Sequence, residues 1–339
     1  DDPAVRNVIE PFKCYANTDM RAVTQSLDSL GYDTTGAAKS VDQAVRRLVR
    51  RVFGADAPGR ANHLSKLKSW VDAFNTRNDG ANGRATLHAP FDPATGASVF
   101  HSITIVFAVS VAAFMECSAR VLDVDSAHLS HCRSDLRYQL LEMHTANNKI
   151  VPLAFHLCFG ESKETYDAMW TNVLSYSNAL HRRIDSVETR INGDRHGGLR
   201  NATEEALVHG KDILHSDPVH LKRNVRANVR LSPDKARQGD MFVDELVGCT
   251  TATAATAIFE RVKAFSPKLW SYLHDRADQK FWVGAYFTHV FDMGKTTSNG
   301  VEQENRRFRA LHIRSMTLLD MLDAVCCVVT DVFALELRV

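Results

Sequence analysis

The chain has 339 residues, enough for one large domain or two domains of ordinary size. Hydrophobic residues make up 45% of it and charged residues 24%, which is typical of a globular protein that buries a core and excludes a low-complexity chain. The formal net charge is +1, from 41 basic and 40 acidic residues, so a nucleic-acid partner would depend on a local basic stripe rather than on the total.

Cysteines and apolar runs exclude two further classes of protein. None of the seven cysteines forms a C-x-x-C pair, so no zinc finger is visible, and we expect buried free thiols in a reducing compartment. The most apolar run, Ile103 to Met115, is too short for a membrane span of about 20 residues and predicts a buried helix. No signal peptide precedes it, and we expect an intracellular protein whose natural N-terminus extends beyond Asp1.

The first third of the chain predicts helices. Apolar residues recur at intervals of three and four in 41–52 and again in 63–74. Turn-forming residues at 78–83 and 90–96 indicate loops, and a further apolar helix is expected over 98–116. We therefore predict an N-terminal helical region over residues 1–116.

The pattern then changes to that of a mixed sheet. Short apolar runs predict strands at 120–125, 136–143, 150–159, 186–192 and 212–214, and helices at 163–180 and 199–208. The run at 150–159 is almost wholly apolar, which indicates a central strand. Strands in succession followed by strand–helix alternation predict an α/β fold with a mixed sheet. We therefore predict the first part of the core at 117–230, a helical insertion at 231–292 and a helical C-terminal part of the core at 293–339.

Three acidic residues stand where catalytic groups of α/β proteins collect. Asp125 and Asp194 follow predicted strands, and Glu302 lies in the first turn of a helix that the Thr-Ser-Asn run at 297–299 could cap. Glycines beside Asp194 allow the backbone to turn sharply and approach a ligand. A single acid in such a place is most often a helix cap or a solvated turn, so position alone leaves its role open.

Five ordered segments of the chain carry a family resemblance. They are VDSAHL at 124–129, IVPLAFHLCFGE at 150–161, GDRHGGL at 193–199, DPVHLKRN at 217–224 and TSNGVEQEN at 297–305. Together they resemble the motifs of Mutator-like (MULE) transposases, and the TSN-x-x-E-x-x-N match is the most specific. Ser126 departs from the family pattern, which usually has Gly after the first Asp. Neither the N-terminal zinc-binding domain nor the C-terminal SWIM motif of the family is present.

The resemblance implies a fold, a reaction and a partner. It implies an RNase H-like core in which Asp125, Asp194 and Glu302 hold two Mg²⁺ or Mn²⁺ ions for cleavage and strand transfer at transposon ends. Divalent ions of this kind prefer carboxylate oxygens. The partners would be double-stranded DNA, both terminal repeats and target, with a homo-oligomer acting in the nucleus and no membrane.

Some residues keep two interpretations. The resemblance makes Asp217 and His220 candidates for supporting the active site, although a histidine in such a segment is more often structural. Cations that could contact DNA phosphates, or simply line solvated helices, are Lys222, Arg223, Arg226, Arg230, Arg306, Arg307 and Arg309. A domesticated, non-catalytic transcription regulator and an inactive genomic relic also remain open.

Overall fold

The fold is a seven-stranded mixed sheet with helices on it and a separate helical body. The computed structural model describes residues 57–77, 82–93, 96–128, 136–145, 150–194, 196–276, 279–286 and 318–333. The strands are β1 (Gly83–His88), β2 (Phe91–Asp92), β3 (Ala97–Ser98), β4 (Ser102–Phe107), β5 (Val121–His128), β6 (Leu136–His144), β7 (Ile150–Phe159), β8 (Arg190–Gly193) and β9 (Leu214–Ser216). The large sheet has the order β1-β4-β7-β6-β5-β8-β9, and β2 pairs with β3 in a small hairpin.

The direction of pairing changes once across the sheet. From β1 to β5 every neighbouring pair is antiparallel, whereas β8 pairs parallel to β5 and β9 parallel to β8. The carboxyl ends of β5, β8 and β9 therefore meet at one edge of the sheet. The α/β class with a mixed sheet is confirmed, and so are strands at the places predicted for β5, β6 and β7.

Helices cover the sheet where strand residues are apolar. They are α1 (Ala57–Thr76), α2 (Ala108–Glu116), α3 (Lys163–Leu174), α4 (Asn178–Ile184), α5 (Gly197–Ala206), α6 (Gly210–Ile213) and, near the C-terminus, α11 (Leu318–Cys327). A π-helical turn, Val328–Phe333, follows α11. Their buried side chains form one core with the strands, which includes Phe74 of α1, Trp170 of α3 and Val325 of α11. No helix in the part of the chain that is described is long and apolar enough to cross a membrane.

The expected helical region over residues 1–116 is wrong in part. The apolar run after residue 102 is a strand, β4, that becomes α2 only at Ala108, and β1 also belongs to the sheet. Thr104 of β4 lies opposite His156 of β7, and such long-range pairing outweighs the local pattern. The expected helix at 63–74 is confirmed within α1, whereas 41–52 lies outside the described residues.

A second core forms among the helices that follow β9. It contains α7 (Pro218–Val229), α8 (Pro233–Gly248), α9 (Ala252–Phe265) and α10 (Pro267–Ser271), followed by the π-helical turn Tyr272–Arg276 and the 3₁₀ turns Gln279–Phe281 and Gly284–Tyr286. Leu221, Phe242, Phe259 and Trp282 are buried in it. The predicted helical character of 231–292 holds through residue 276, and this core already begins with α7.

Candidate active site

Two of the three predicted acids lie at the same edge of the sheet. The parallel pairing of β5 with β8 ends at Val124 opposite Gly193, so Asp125 is the next residue of β5 and Asp194 is the first residue after β8. Residues in register on parallel strands point to the same face, and adjacent strands are about 5 Å apart. The two carboxylates therefore lie on the same face of the sheet, just beyond the last pair between β5 and β8.

The strand beside β8 is β9, and Asp217, which was predicted to support the two acids, follows it. Asp217, just after β9, donates its NH to the Gly193 carbonyl at 2.9 Å and so extends the parallel ladder. Its carboxylate accepts from the Val219 NH at 2.8 Å, which caps the start of α7. This cap fixes the first turn of α7, where His220 lies.

His220 connects the acids of two strands. Its Nδ1 lies 3.3 Å from Asp194 Oδ2, and its Nε2 lies 4.0 Å from Asp217 Oδ2. The hydrogen bond to Asp194 raises the pKa of His220, and the charges of Asp194, Asp217 and Asp125 raise it further against the opposing effect of burial. The surrounding carboxylates thus favour the protonated form of His220.

Asp125 carries the clearest electrostatic signature of the site. Burial raises its pKa to about 6, and the charges of Asp194 and Glu161 also raise it. The Ser126 NH, which donates to Asp125 Oδ1 at 2.8 Å, and His220 lower it. A carboxyl group whose ionised form is disfavoured by burial and by like charges is typical of a functional site, although structural clusters also produce such shifts.

Glu161 belongs to this edge, and sequence reasoning did not assign it there. It follows β7 after Gly160, whose φ is 73°, and β7 ends at the same edge as β5. Its carboxylate accepts from Tyr166 Oη at 2.7 Å and pairs with Arg137. An acid directly after a glycine at the end of a central strand was the signal that could have identified it.

Asp123, two residues before Asp125 on the same face of β5, lies inside the sheet. It is fully buried and is bonded to His144 and Asn192. It is therefore not placed to reach a ligand at the edge. Glu302, Arg306, Arg307 and Arg309 lie outside the described residues, and their predicted roles stay predictions.

The predicted DNA-contacting cations of α7 differ in their surroundings. Lys222 pairs with Asp244 of α8, and Arg226 pairs with Asp240 of the same helix. Arg223 and Arg230 are exposed, and Arg230 ends the helix with a φ of 51°. Lys222 and Arg226 thus bridge α7 and α8.

Within the described residues, no three His, Cys, Asp or Glu side chains form a group that could hold a metal ion. A scan against protein-family models gave no match, and neither did a search of curated proteins.

Proposed function

We propose that the chain is the catalytic domain of a DNA transposase that resembles the Mutator-like group and cleaves and joins DNA at transposon ends with divalent metal ions. The observation that carries the proposal is the matched position of Asp125 and Asp194 on adjacent parallel strands. It brings together two acids that are 69 residues apart and that were selected from the sequence alone.

The order of the strands supports an RNase H-like core. Three antiparallel strands, β5 to β7, are connected in succession, and two strands parallel to β5 extend the sheet on its other side. This is the arrangement expected of such a core, in which the first acid lies on the first strand and the second follows the fourth. The expected insertion over 231–292 would begin with α8.

The residues at the edge fit a divalent metal ion. Carboxylate oxygens are the donors that Mg²⁺ and Mn²⁺ prefer, and the raised pKa of Asp125 indicates a charge that a nearby cation would stabilise. Asp125 and Asp194 would hold the metal, with Glu302 as the third ligand. When bound, the metal supplies activation of the attacking oxygen and charge stabilisation at the leaving oxygen.

The chain's own groups would orient this site. His220 holds Asp194 from α7, and the cap made by Asp217 fixes the helix that carries His220. Exposed Arg223 and Arg230 would contact the phosphates of double-stranded DNA, together with the cations at 306–309. We further propose that the chain acts as a homo-oligomer in the nucleus.

Mn²⁺ binding measured by calorimetry and electron paramagnetic resonance tests this proposal. Wild type should bind Mn²⁺, and Asp125→Asn or Asp194→Asn should weaken binding at least about tenfold while circular dichroism stays unchanged. Asp212→Asn is the matched control because Asp212 is an exposed acid on α6. Equal Mn²⁺ affinity in all four proteins would show that Asp125 and Asp194 do not bind the metal. DNA binding without metal binding would favour the non-catalytic regulator.

A further inference from the structure

A buried network of hydrogen-bonded side chains crosses three strands of the sheet behind the two acids. His144 Nε2 lies 2.8 Å from Asp123 Oδ2, and Asn192 Nδ2 donates to Asp123 Oδ1 at 2.8 Å. Arg190 Nε in turn donates to Asn192 Oδ1 at 2.8 Å. The exposed fractions are 0% for Asp123 and Asn192, 2% for His144 and 4% for Arg190, so this network is shielded from solvent.

These hydrogen-bonded side chains lie on the same face of the sheet as the two acids and further inside the sheet. Asp123 is paired in register with Asn192, and each is two residues before an acid of the site. Because side chains alternate along a strand, Asp123 shares its face with Asp125, and Asn192 shares its face with Asp194. The bond between Asp123 and Asn192 therefore joins β5 to β8 directly behind the acids.

We propose that Asn192 and Asp123 are positioning residues, whose mutual hydrogen bond fixes β8 against β5 and so sets the distance between Asp194 and Asp125. The inference rests on the proposed function, because its consequence is a metal-binding geometry. Neither side chain is placed to contact metal or DNA.

The backbone pairing gives a reason for such a bond. β5 and β8 pair over only four residues, from Val121 opposite Arg190 to Val124 opposite Gly193. Both acids lie just past the last pair, where the pairing no longer holds the strands. A buried side-chain bond on their own face restrains that end. Loss of a group that orients metal ligands from behind typically costs 10- to 100-fold in metal affinity, in order of magnitude.

The geometry also explains the residue type at position 192. The Asn192 side chain donates to Asp123 and accepts from Arg190, and an amide is the side chain that offers both a donor and an acceptor at this length. A carboxylate there would face the carboxylate of Asp123. An apolar residue would leave the buried Asp123 and Arg190 groups without this partner.

An exchange of the two side chains provides the test. Asn192→Asp should weaken Mn²⁺ binding at least about tenfold, because two buried carboxylates would then oppose each other. The double variant Asp123→Asn with Asn192→Asp restores every donor and acceptor. The amide introduced on β5 can donate to the new carboxylate on β8 and accept from His144, and Arg190 can still donate. The Mn²⁺ affinity of the double variant should return to within about threefold of wild type.

Two further variants keep the test decisive. Thr104→Val breaks the 2.8 Å contact with His156 on the opposite face of the sheet and should lower stability without changing Mn²⁺ affinity. Asn192→Ser, which shortens the side chain without adding a charge, replaces Asn192→Asp if that protein does not fold, and should weaken binding similarly.

The outcomes separate this inference from the proposed function. If wild-type Mn²⁺ binding depends on Asp125 and Asp194 but folded Asn192→Asp or Asn192→Ser binds like wild type, the positioning role is wrong and the function stands. A folded double variant that stays as weak as Asn192→Asp also overturns it. If wild type shows no such binding, the proposed function fails, and the inference fails with it.

Discussion

His220 Nδ1 lies 3.3 Å from Asp194 Oδ2, so the acid that follows β8 is held by the helix that follows β9. Asp194 has 42% of its side chain exposed and His220 only 17%, which places the carboxylate at the surface and its partner behind it. The bond couples α7, the first helix of the second core, to the edge of the sheet. The carboxylates around His220 raise the pKa of its imidazole and so favour its protonated form.

The pH dependence of stability should report the raised pKa of Asp125. Because burial raises this pKa from 3.8 to about 6, the folded state favours the neutral carboxyl. The resulting stabilisation is complete below pH 3.8 and is lost as the pH rises through about 6. Asp125→Asn, which stays neutral, should be more stable than wild type by about 1–3 kcal/mol at pH 8 and equal to it near pH 4.

Urea unfolding without divalent metal at several pH values measures this difference. Asp212→Asn, at an exposed position on α6, should show no comparable change between acidic and alkaline pH. A constant difference between Asp125→Asn and wild type from pH 4 to pH 8 would contradict the pKa assigned to Asp125.

The start of α5 should tolerate no side chain at Gly198. A Cβ there would lie 2.8 Å from the Lys163 nitrogen and 2.8 Å from the Ser162 carbonyl carbon, at the start of α3. Gly198→Ala should lower the free energy of unfolding by about 1–3 kcal/mol, because backbone atoms must move apart. Gly197→Ala is the matched control, since a Cβ there meets nothing within 4 Å, and it should stay within about 0.5 kcal/mol of wild type. Equal unfolding midpoints in urea for the two variants would disprove the close approach.

Arg230 and the paired cations of α7 should contribute differently to DNA binding. Arg230→Ala should lower the slope of log K against log salt concentration by about one, if Arg230 contacts a phosphate. Lys222→Ala and Arg226→Ala should change it less, because Asp244 and Asp240 already pair with those cations. Fluorescence anisotropy with duplex DNA at several salt concentrations measures the slopes. The proposed roles would be reversed if the paired residues had the larger effect.

The parts of the fold that were predicted from sequence are those with strong local signals. β7 was predicted with its observed bounds, 150–159, because a continuous apolar run between turn-forming residues allows little else. The acids at 125 and 194 were identified by the strand ends before them and by the flanking motifs.

The parts that were missed depend on contacts between distant segments. The apolar run that begins at Ile103 is compatible with either a helix or a strand. Its first half becomes β4 because it pairs with β7. Glu161 comes to the site because β7 and β5 end at the same edge, which requires the strand order. The pairing of Lys222 with Asp244 likewise depends on how α7 packs against α8.

Divalent-metal-dependent strand cleavage is the most direct test of the central claim. Wild-type protein with Mn²⁺ should nick supercoiled plasmid DNA, and Asp125→Asn, Asp194→Asn and Glu302→Gln should each reduce nicking by about two orders of magnitude or more, with unchanged circular dichroism. Asp212→Asn should cleave like wild type. Cleavage by Asp125→Asn or Asp194→Asn at the wild-type rate would contradict a catalytic centre at the edge of β5 and β8.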